Sequence, residues 1–281
     1  MRPTFIIIGA AKSGTTALHR YLGSHPEVFV STPKELNFFL EDGNWGRGPE
    51  WYEHQFAASR HARARGESSP LYTSFPHQPG VPGRMASVVP EAKLIYVVRH
   101  PVDRMLSHYL HRRLHSGERR NVEVVLRSEP QYRASSSYAM QIERYLERFR
   151  RDQILIVTSE SLRANRSTVL RRVFEHVGVD PGWSGEDLEK EYHVTARDRR
   201  GRRFLPPVDR FPGRRLAVMA VPRSIRKPVA RLYARMSVRR VRPEQAQISA
   251  AVREELEGWF RDDVAKLRGY MQPPFDGWGI A

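Results

Sequence analysis

The stretch FIIIGAAKSGTTALHRYL (Phe5–Leu22) carries the strongest indication of the fold. Its first residues are apolar and largely β-branched, which is typical of a parallel strand buried on both faces. A glycine loop follows, and Leu18 and Tyr21 then mark the apolar face of a helix that stops before His25. Strand, glycine loop and helix in succession predict an anion site, because the N-terminal N–H groups of the helix point at the loop.

The loop differs from the Walker A pattern GxxxxGK[ST] at one decisive position. Gly9 and Gly14 have the required spacing, but Thr15 stands where the lysine should be, and Lys12 precedes the second glycine. A triphosphate would therefore lack its usual clamp on the β and γ phosphates. The loop instead favours a single phosphate beside a second anionic group. The predicted ligands in the loop are Lys12, Ser13, Gly14, Thr15 and Thr16.

A second anion-binding element is predicted after the next apolar strand, KLIYVV (Lys93–Val98). Ligands in open α/β sheets bind at the carboxyl ends of strands, and Arg99 stands at this position. Ser107 falls two turns into the helix that follows, where its hydroxyl could reach the same anion. An arginine and a hydroxyl together bind a phosphate well.

Strands and helices alternate along the first two thirds of the chain. After these elements come a helix at Tyr138–Phe149, a strand at Ile154–Ser159 and a helix that ends at Gly178, a natural C-cap. This alternation predicts an α/β fold: a three-layer, P-loop-like domain with a mainly parallel central sheet flanked by helices.

The rest of the chain is predicted to belong to the same domain, which would span residues 1–281. A basic, partly helical excursion is expected at about 205–243, where it would contact the acceptor or an anionic membrane surface. A final helix is expected at about 244–269 from its wide apolar stripe.

Composition narrows the setting of the protein without deciding its function. The net charge of +16 favours anionic partners, including nucleic acid, membrane surfaces and phosphorylated or sulfated small molecules. The chain has no cysteine, which excludes disulfides and favours the cytoplasm. The first apolar run is too short to cross a bilayer.

The two anion-binding motifs together resemble those of sulfotransferases that use 3′-phosphoadenosine 5′-phosphosulfate (PAPS). The resemblance is closest to bacterial carbohydrate and natural-product enzymes and to the heparan-sulfate branch. It covers most of residues 4–204. The further matching segments are PKELNFF (Pro33–Phe39), GESSPLY (Gly66–Tyr72), SSYAMQIERYLERF (Ser136–Phe149) and RRGRRF (Arg199–Phe204).

The resemblance implies roles for individual residues. Lys12 would stabilise charge on the bridging oxygen of the leaving group, and Glu35 of the KExxFF pattern would be the catalytic base. The alternative for Glu35 is that it starts a helix after Pro33 and compensates the helix dipole. The basic loop over the 3′-phosphate end of the cofactor would contain Arg200, Gly201 and Arg202, and Tyr192 would contact the adenine side. Ser68 replaces a lysine that heparan-modifying enzymes often carry, which argues against a polyanionic acceptor.

The sequence therefore predicts transfer of a sulfuryl group from PAPS to a hydroxyl, or less favourably an amine, of a carbohydrate or natural product. The product would be 3′-phosphoadenosine 5′-phosphate (PAP), and no metal is required. His108, His111 and His115 share a helix face, but such rows are usually solvated or structural. The competing hypotheses are a P-loop kinase and a nucleic-acid-binding protein that uses its arginines.

Overall fold

The computed structural model of the protein has a five-stranded parallel sheet at its centre. Its strands are β1 (Phe5–Gly9), β2 (Val28–Val30), β3 (Ala64–Ser68), β4 (Lys93–Val98) and β5 (Ile154–Thr158). The strand order across the sheet is β2-β3-β1-β4-β5. The first strand is thus central: Phe5 lies opposite Gly66 of β3 on one side and Lys93 of β4 on the other.

The structure describes residues 1–190, 192, 200–202, 238–240, 247–271 and 275–280, with the backbone alone at 189, 200–202 and 238–240. The predicted excursion at about 205–243 lies outside the described residues except for 238–240. Those three residues form β7 (Val238–Arg240), which pairs antiparallel with β6 (Arg200–Arg202).

Helices cover both faces of the sheet. Those in the first part of the chain are α1 (Thr15–Ser24), α2 (Gly48–His54), α3 (Val81–Val88), α4 (Pro101–His115), α5 (Val122–Ser128) and α6 (Pro130–Ala134). Those that follow are α7 (Tyr138–Leu146), α8 (Ser159–Ala164), α9 (Arg166–Val177), α10 (Glu186–Glu189), α11 (Ala250–Gly258) and α12 (Arg261–Tyr270). Gly178 ends α9 with φ of +82°, as predicted for its C-cap.

The alternation of side chains along β1 produces the three layers. Ile6 and Ile8 pack into one buried cluster with side chains of α3 and α7. Phe5 and Ile7 point to the opposite face and pack with α1 and α9. Because both faces of the strand are covered, its sequence is apolar throughout. This arrangement confirms the predicted three-layer α/β class.

The C-terminal part corrects one prediction. A single helix was expected at about 244–269, but the described part contains two helices that break at Trp259 and Phe260. Helix α11 packs with α4 through Leu256, whereas Leu267 of α12 packs into the cluster that contains α7. The break follows Gly258, a poor helix former, and it lets the two apolar faces reach different clusters. Among the described residues, no helix is long and apolar enough to span a bilayer.

Candidate active site

The loop between β1 and α1 ends at Gly14, whose φ is +99°. A Cβ atom at this position would lie 3.6 Å from Ser159 Oγ, which is an ordinary contact. The left-handed backbone, and not a lack of space, therefore requires glycine here. Gly14 is also the N-cap of α1 and has no side chain with which to cap it. The first N–H groups of α1 are consequently oriented to receive an anion.

The hydroxyl groups of this loop differ in exposure. Ser13 is fully buried, and within the described residues no atom meets hydrogen-bond geometry with its Oγ, although the Tyr138 phenol lies close to it. Thr15 is buried and Thr16 is partly exposed. Buried hydroxyls are normally hydrogen-bonded, so a buried hydroxyl beside an uncapped helix start fits an anionic ligand.

Arg99 joins the second anion-binding motif to the first. It follows β4 directly, and its Nη1 donates a hydrogen bond of 3.5 Å to the Lys12 carbonyl. Its Nε atom is buried and has no hydrogen-bond partner among the described residues. Lys12 has a left-handed backbone with φ of +74°. The two motifs that the sequence singled out are therefore in direct contact.

The sheet topology explains why they meet. From β1 the chain runs toward the β2 edge, whereas from β4 it runs toward β5 at the other edge. The crevice between the carboxyl ends of β1 and β4 is thus a topological switch point, where open α/β sheets bind their ligands. A backbone hydrogen bond links the two strand ends at this point: the Ala10 N–H donates to the Val97 carbonyl at 2.7 Å.

Helix α4 carries Ser107, and the basic loop lies against the same helix. Ser107 is 7% exposed and sits in the second turn. The backbone of β6, which contains Arg200, Gly201 and Arg202, packs against α4. Helix α4 therefore carries one predicted 3′-phosphate residue, Ser107, and packs against the predicted covering loop.

Tyr192 lies against the outer part of α1. Its ring centroid is 5.2 Å from that of Tyr21, and the Arg20 guanidinium carbon lies 5.1 Å from the same ring. These contacts fix the ring on α1, the helix that begins at the phosphate loop. Its contact with an adenine remains a prediction.

Glu35 lies in an irregular segment at the carboxyl edge of β3. The Lys34 carbonyl accepts from Ser68 N–H at 3.3 Å, which ties the segment to the strand end. Lys34 Nζ lies 2.8 Å from Glu35 Oε1, and the Glu35 side chain is 48% exposed. Residues 33–35 are not helical, so the alternative of a helix that starts at Glu35 is wrong. The carboxylate is exposed and not partly buried.

The sequence motifs did not include every polar residue at the carboxyl edge of the sheet. Ser159 begins α8 directly after β5, and Arg163 Nη2 donates to its Oγ at 3.3 Å. Its position at a strand end was the signal that could have identified it. Gly9 is required for a reason unrelated to phosphate binding, because a Cβ atom there would collide with the Thr73 side chain.

Two histidines near the site have lowered pKa values. Burial lowers the pKa of His108 to about 3, and the charges of Arg104 and Lys12 act in the same direction. Burial also lowers the pKa of His19 to about 4, with Lys34 and Arg20 contributing. The histidine row does not converge, because His108 packs on the Tyr132 ring whereas His111 stacks on His115. Within the described ranges, no group of three or more His, Asp or Glu side chains could hold a metal ion.

These features define a P-loop-like α/β protein with a site for a phosphorylated ligand at the carboxyl edge of its sheet. The family model of the sulfotransferase domain matches residues 2–199. The chain therefore belongs to the sulfotransferase domain family.

Curated relatives support this membership. The chain is 32% identical over 200 residues to the bifunctional heparan sulfate N-deacetylase/N-sulfotransferase 4 of Mus musculus, which covers 65% of this chain and 23% of that protein. It is 33% identical over 200 residues to the corresponding enzyme 3 of Homo sapiens, with the same coverage of 65% and 23%. The chain thus spans about a quarter of the length of these relatives.

Solved structures agree with the fold. A sulfotransferase from Alicyclobacillus acidocaldarius is 26% identical, with a TM-score of 0.70 and coverage of 99% of both chains. Mouse sulfotransferase SULT7A1 in complex with PAP is 13% identical, with a TM-score of 0.52 and coverage of 99% of this chain and 87% of that one, and it shows the fold alone.

The predictions of a sulfotransferase family member and of a P-loop-like α/β fold are therefore confirmed, whereas PAPS as the sulfuryl donor stays a prediction. The kinase interpretation of the glycine loop is not favoured. The residue roles, the acceptor, the single-domain organisation and the cytoplasmic location stay predictions.

Proposed function

We propose that this enzyme transfers the sulfuryl group of PAPS to a hydroxyl or, less favourably, an amine of a carbohydrate or natural product, with Glu35 as the catalytic base. The observation that carries the proposal is the contact between the two anion-binding motifs, in which Arg99 donates to the Lys12 carbonyl. One ligand with anionic groups at both ends can then bind the loop and α4 together. The proposed setting is the cytoplasm of a bacterium.

The residues of the crevice fit the donor. Lys12, Ser13 and the N–H groups at the start of α1 would hold the 5′-phosphosulfate. Arg99 and Ser107 would hold the 3′-phosphate, since an arginine with a hydroxyl binds such a group well. The remaining proposed contacts are Tyr192 on the adenine side and Arg200, Gly201 and Arg202 in the loop that lies on α4.

PAPS supplies the sulfuryl group, and PAP is the leaving group. Lys12 would stabilise the negative charge that develops on the bridging oxygen, which favours the transition state over the ground state. Glu35 would accept the proton of the acceptor as its oxygen or nitrogen attacks. The adjacent Lys34 ammonium, 2.8 Å from Glu35 Oε1, would have to move from the carboxylate when the acceptor binds.

Glu35 is a better candidate for the base than the nearby histidines. Burial lowers the pKa of His19 to about 4 and that of His108 to about 3. These pKa values do not separate the imidazoles from a carboxylate, whose ordinary pKa is also about 4, so access to the acceptor decides. His19 is buried and His108 is half-buried, whereas Glu35 is exposed.

The acceptor is proposed to be less anionic than heparan sulfate, which the curated relatives are named for. Ser68 ends β3 beside the Lys34 carbonyl, at the position where the resembling heparan-modifying enzymes often have a lysine. Its side chain is fully buried and its hydroxyl has no partner among the described residues. No cation is therefore available at this position for an anionic sugar.

A panel of acceptors tests this proposal. The enzyme would be incubated with labelled PAPS and, in separate reactions, an uncharged oligosaccharide, p-nitrophenol, a chitosan oligosaccharide and N-deacetylated heparan oligosaccharides. Mass spectrometry would follow the gain of one sulfuryl group. We expect the uncharged hydroxyl acceptors to be modified fastest. Modification of the heparan amines alone would contradict the proposed acceptor class. If PAP binds but no compound of the panel is modified, the proposed acceptor class is also wrong.

A further inference from the structure

Glu67 is a buried carboxylate one residue before the end of β3. Its side chain is fully buried, and within the described part of the chain no cation pairs with it. The Tyr52 and Tyr72 hydroxyls each donate to Oε1 at 2.8 Å. The Ser69 hydroxyl donates to Oε2 at 2.6 Å. A carboxylate without a cationic partner is retained in a core only when hydrogen bonds satisfy it, as they do here.

Two of these hydroxyls also bind the backbone of the segment that carries Glu35. Tyr72 Oη accepts from Phe38 N–H at 2.8 Å. Ser69 Oγ accepts from Asn37 N–H at 2.9 Å. Each hydroxyl accepts a hydrogen bond from a backbone N–H of the segment and donates its own proton to Glu67. Each therefore connects a backbone amide to the buried carboxylate.

A third contact reaches the residue next to Glu35. The Leu36 backbone N–H also lies close enough to the Glu67 carboxylate to lower its pKa. Residues 35–37 have no regular secondary structure, and Asn37 holds a left-handed backbone with φ of +48°. A non-glycine residue keeps such a conformation only when its surroundings impose it. The contacts around Glu67 provide these surroundings.

From this geometry we infer that Glu67 is a positioning residue, which fixes the backbone that carries Glu35 and so sets where the carboxylate of the base meets the acceptor. The inference rests on the proposed role of Glu35. Glu67 itself is buried beneath the segment and contacts neither donor nor acceptor. It acts through Tyr72, Ser69 and the Leu36 amide.

The chemistry of the contacts requires a carboxylate at this position. Every neighbour is a donor, and both carboxylate oxygens accept from at least one hydroxyl. Burial raises the pKa of Glu67, and the hydrogen bonds from Ser69, Tyr52 and Tyr72 act in the opposite direction. A glutamine would turn an amide N–H toward one of these donors, so Glu67→Gln should disturb the segment and could also disturb folding.

The tyrosines offer a matched pair of milder variants. Tyr72→Phe removes the hydroxyl that connects Phe38 N–H to Glu67. Tyr52→Phe removes a hydrogen bond of the same length to the same Glu67 oxygen, but the Tyr52 hydroxyl makes no hydrogen bond to residues 36–39, and the ring contacts with Phe38 and Phe39 are kept. The two variants therefore lose the same interaction with Glu67 and differ in the connection to the segment of the base.

The experiment compares kcat, KM and PAP affinity of both variants, alone and combined with Glu35→Gln, using the member of the acceptor panel with the highest turnover. We expect Tyr72→Phe to lower kcat about 10- to 100-fold, because a displacement of about 1 Å can have this effect. PAP affinity should stay within a factor of about two, and Tyr52→Phe should keep most of its kcat. In the Glu35→Gln background, Tyr72→Phe should cause no further loss, because residues that act through one group are not additive.

The possible outcomes separate the inference from the proposed function. Equal losses of kcat in Tyr52→Phe and Tyr72→Phe would mean that Glu67 only stabilises the fold, as would an additive loss in the double variant. Near-normal kcat in Tyr72→Phe, with Glu35→Gln inactive, would overturn the positioning role and leave Glu35 as the base. Near-normal activity in Glu35→Gln itself would instead overturn the mechanism on which the inference rests.

Discussion

The Arg99 guanidinium and the Lys12 carbonyl are 3.5 Å apart, and this hydrogen bond joins the ends of two adjacent parallel strands. The arginine therefore helps to hold the phosphate loop in the conformation in which Lys12 has a left-handed backbone. Its Nε atom has no partner among the described residues and can still serve a ligand. We therefore expect one side chain to support the loop at one end of the proposed donor and to bind the other end.

Arg99→Ala should weaken PAP binding by about 1.5–3 kcal/mol, the usual range for a hydrogen bond to a charged group. PAP binding should weaken more than ADP binding, because only PAP carries the 3′-phosphate, whereas loss of the hydrogen bond to the Lys12 carbonyl affects both ligands. Titration calorimetry without divalent metal would measure PAP and ADP in parallel, and the preference for PAP should disappear in the variant. Arg171→Ala, at an exposed arginine of α9, is the control. An unchanged preference for PAP over ADP would remove Arg99 from the 3′-phosphate site.

Glu35→Gln should lower turnover about 10²–10⁴-fold, the typical contribution of general acid–base catalysis. The amide keeps the shape of the side chain, so PAP affinity should be unchanged. Steady-state kinetics at saturating PAPS would measure the loss. The matched control is Glu41→Gln, which changes another carboxylate six residues further along the same segment, with 81% of its side chain exposed. Activity close to that of the wild type in Glu35→Gln would mean that another group is the base.

The sequence was sufficient to predict the elements whose signals are local. The apolar run before Gly9, the helix that follows Gly14 and the C-cap at Gly178 each depend on a few neighbouring residues. Their observed bounds agree with the prediction to within a few residues. The carboxyl-edge position of Arg99 followed from the rule that parallel strands present their ends together.

Non-local contacts could not be predicted in this way. The place of β1 between β3 and β4 depends on pairing between distant segments, and no residue pattern specifies the partner. The hydrogen bonds to the Glu67 carboxylate likewise combine Tyr52, from α2, with residues that follow β3. The break at Phe260 was missed because the apolar stripe continues through it, although its two halves pack on different clusters.

Gly14→Ala should destabilise the protein by roughly 1–2 kcal/mol, because the Cβ atom of an alanine is crowded by the backbone in the left-handed conformation. Chemical denaturation would measure this loss. Gly83→Ala is the matched control: this glycine lies inside α3 with open space around a Cβ atom, so the substitution should raise stability by roughly 0.5–1 kcal/mol. PAP affinity should fall in Gly14→Ala alone. Full stability in Gly14→Ala would contradict the strained loop.

The pH dependence of stability should report on His176, a residue in the last turn of α9 that faces the amino end of β4. Its Nε2 donates to the Leu94 carbonyl at 3.1 Å, and burial lowers its pKa from 6.5 to about 4. Between these values the unfolded chain binds a proton that the folded chain does not. Stability from this group is therefore fully present above pH 6.5 and is lost as the pH falls toward 4.

His176→Gln removes this titration, while the amide can still donate to Leu94. The free energy of unfolding of the wild type should fall more steeply between pH 6.5 and 4 than that of the variant. The difference in slope should approach one proton, or about 1.4 kcal/mol per pH unit. Urea titrations at several pH values would measure it, with His61→Gln at an exposed histidine as the control. The pKa values of His19 and His108 are also lowered, so the stability of the variant should still fall with decreasing pH, but less steeply. Identical slopes in wild type and His176→Gln would show that His176 protonates equally in both states.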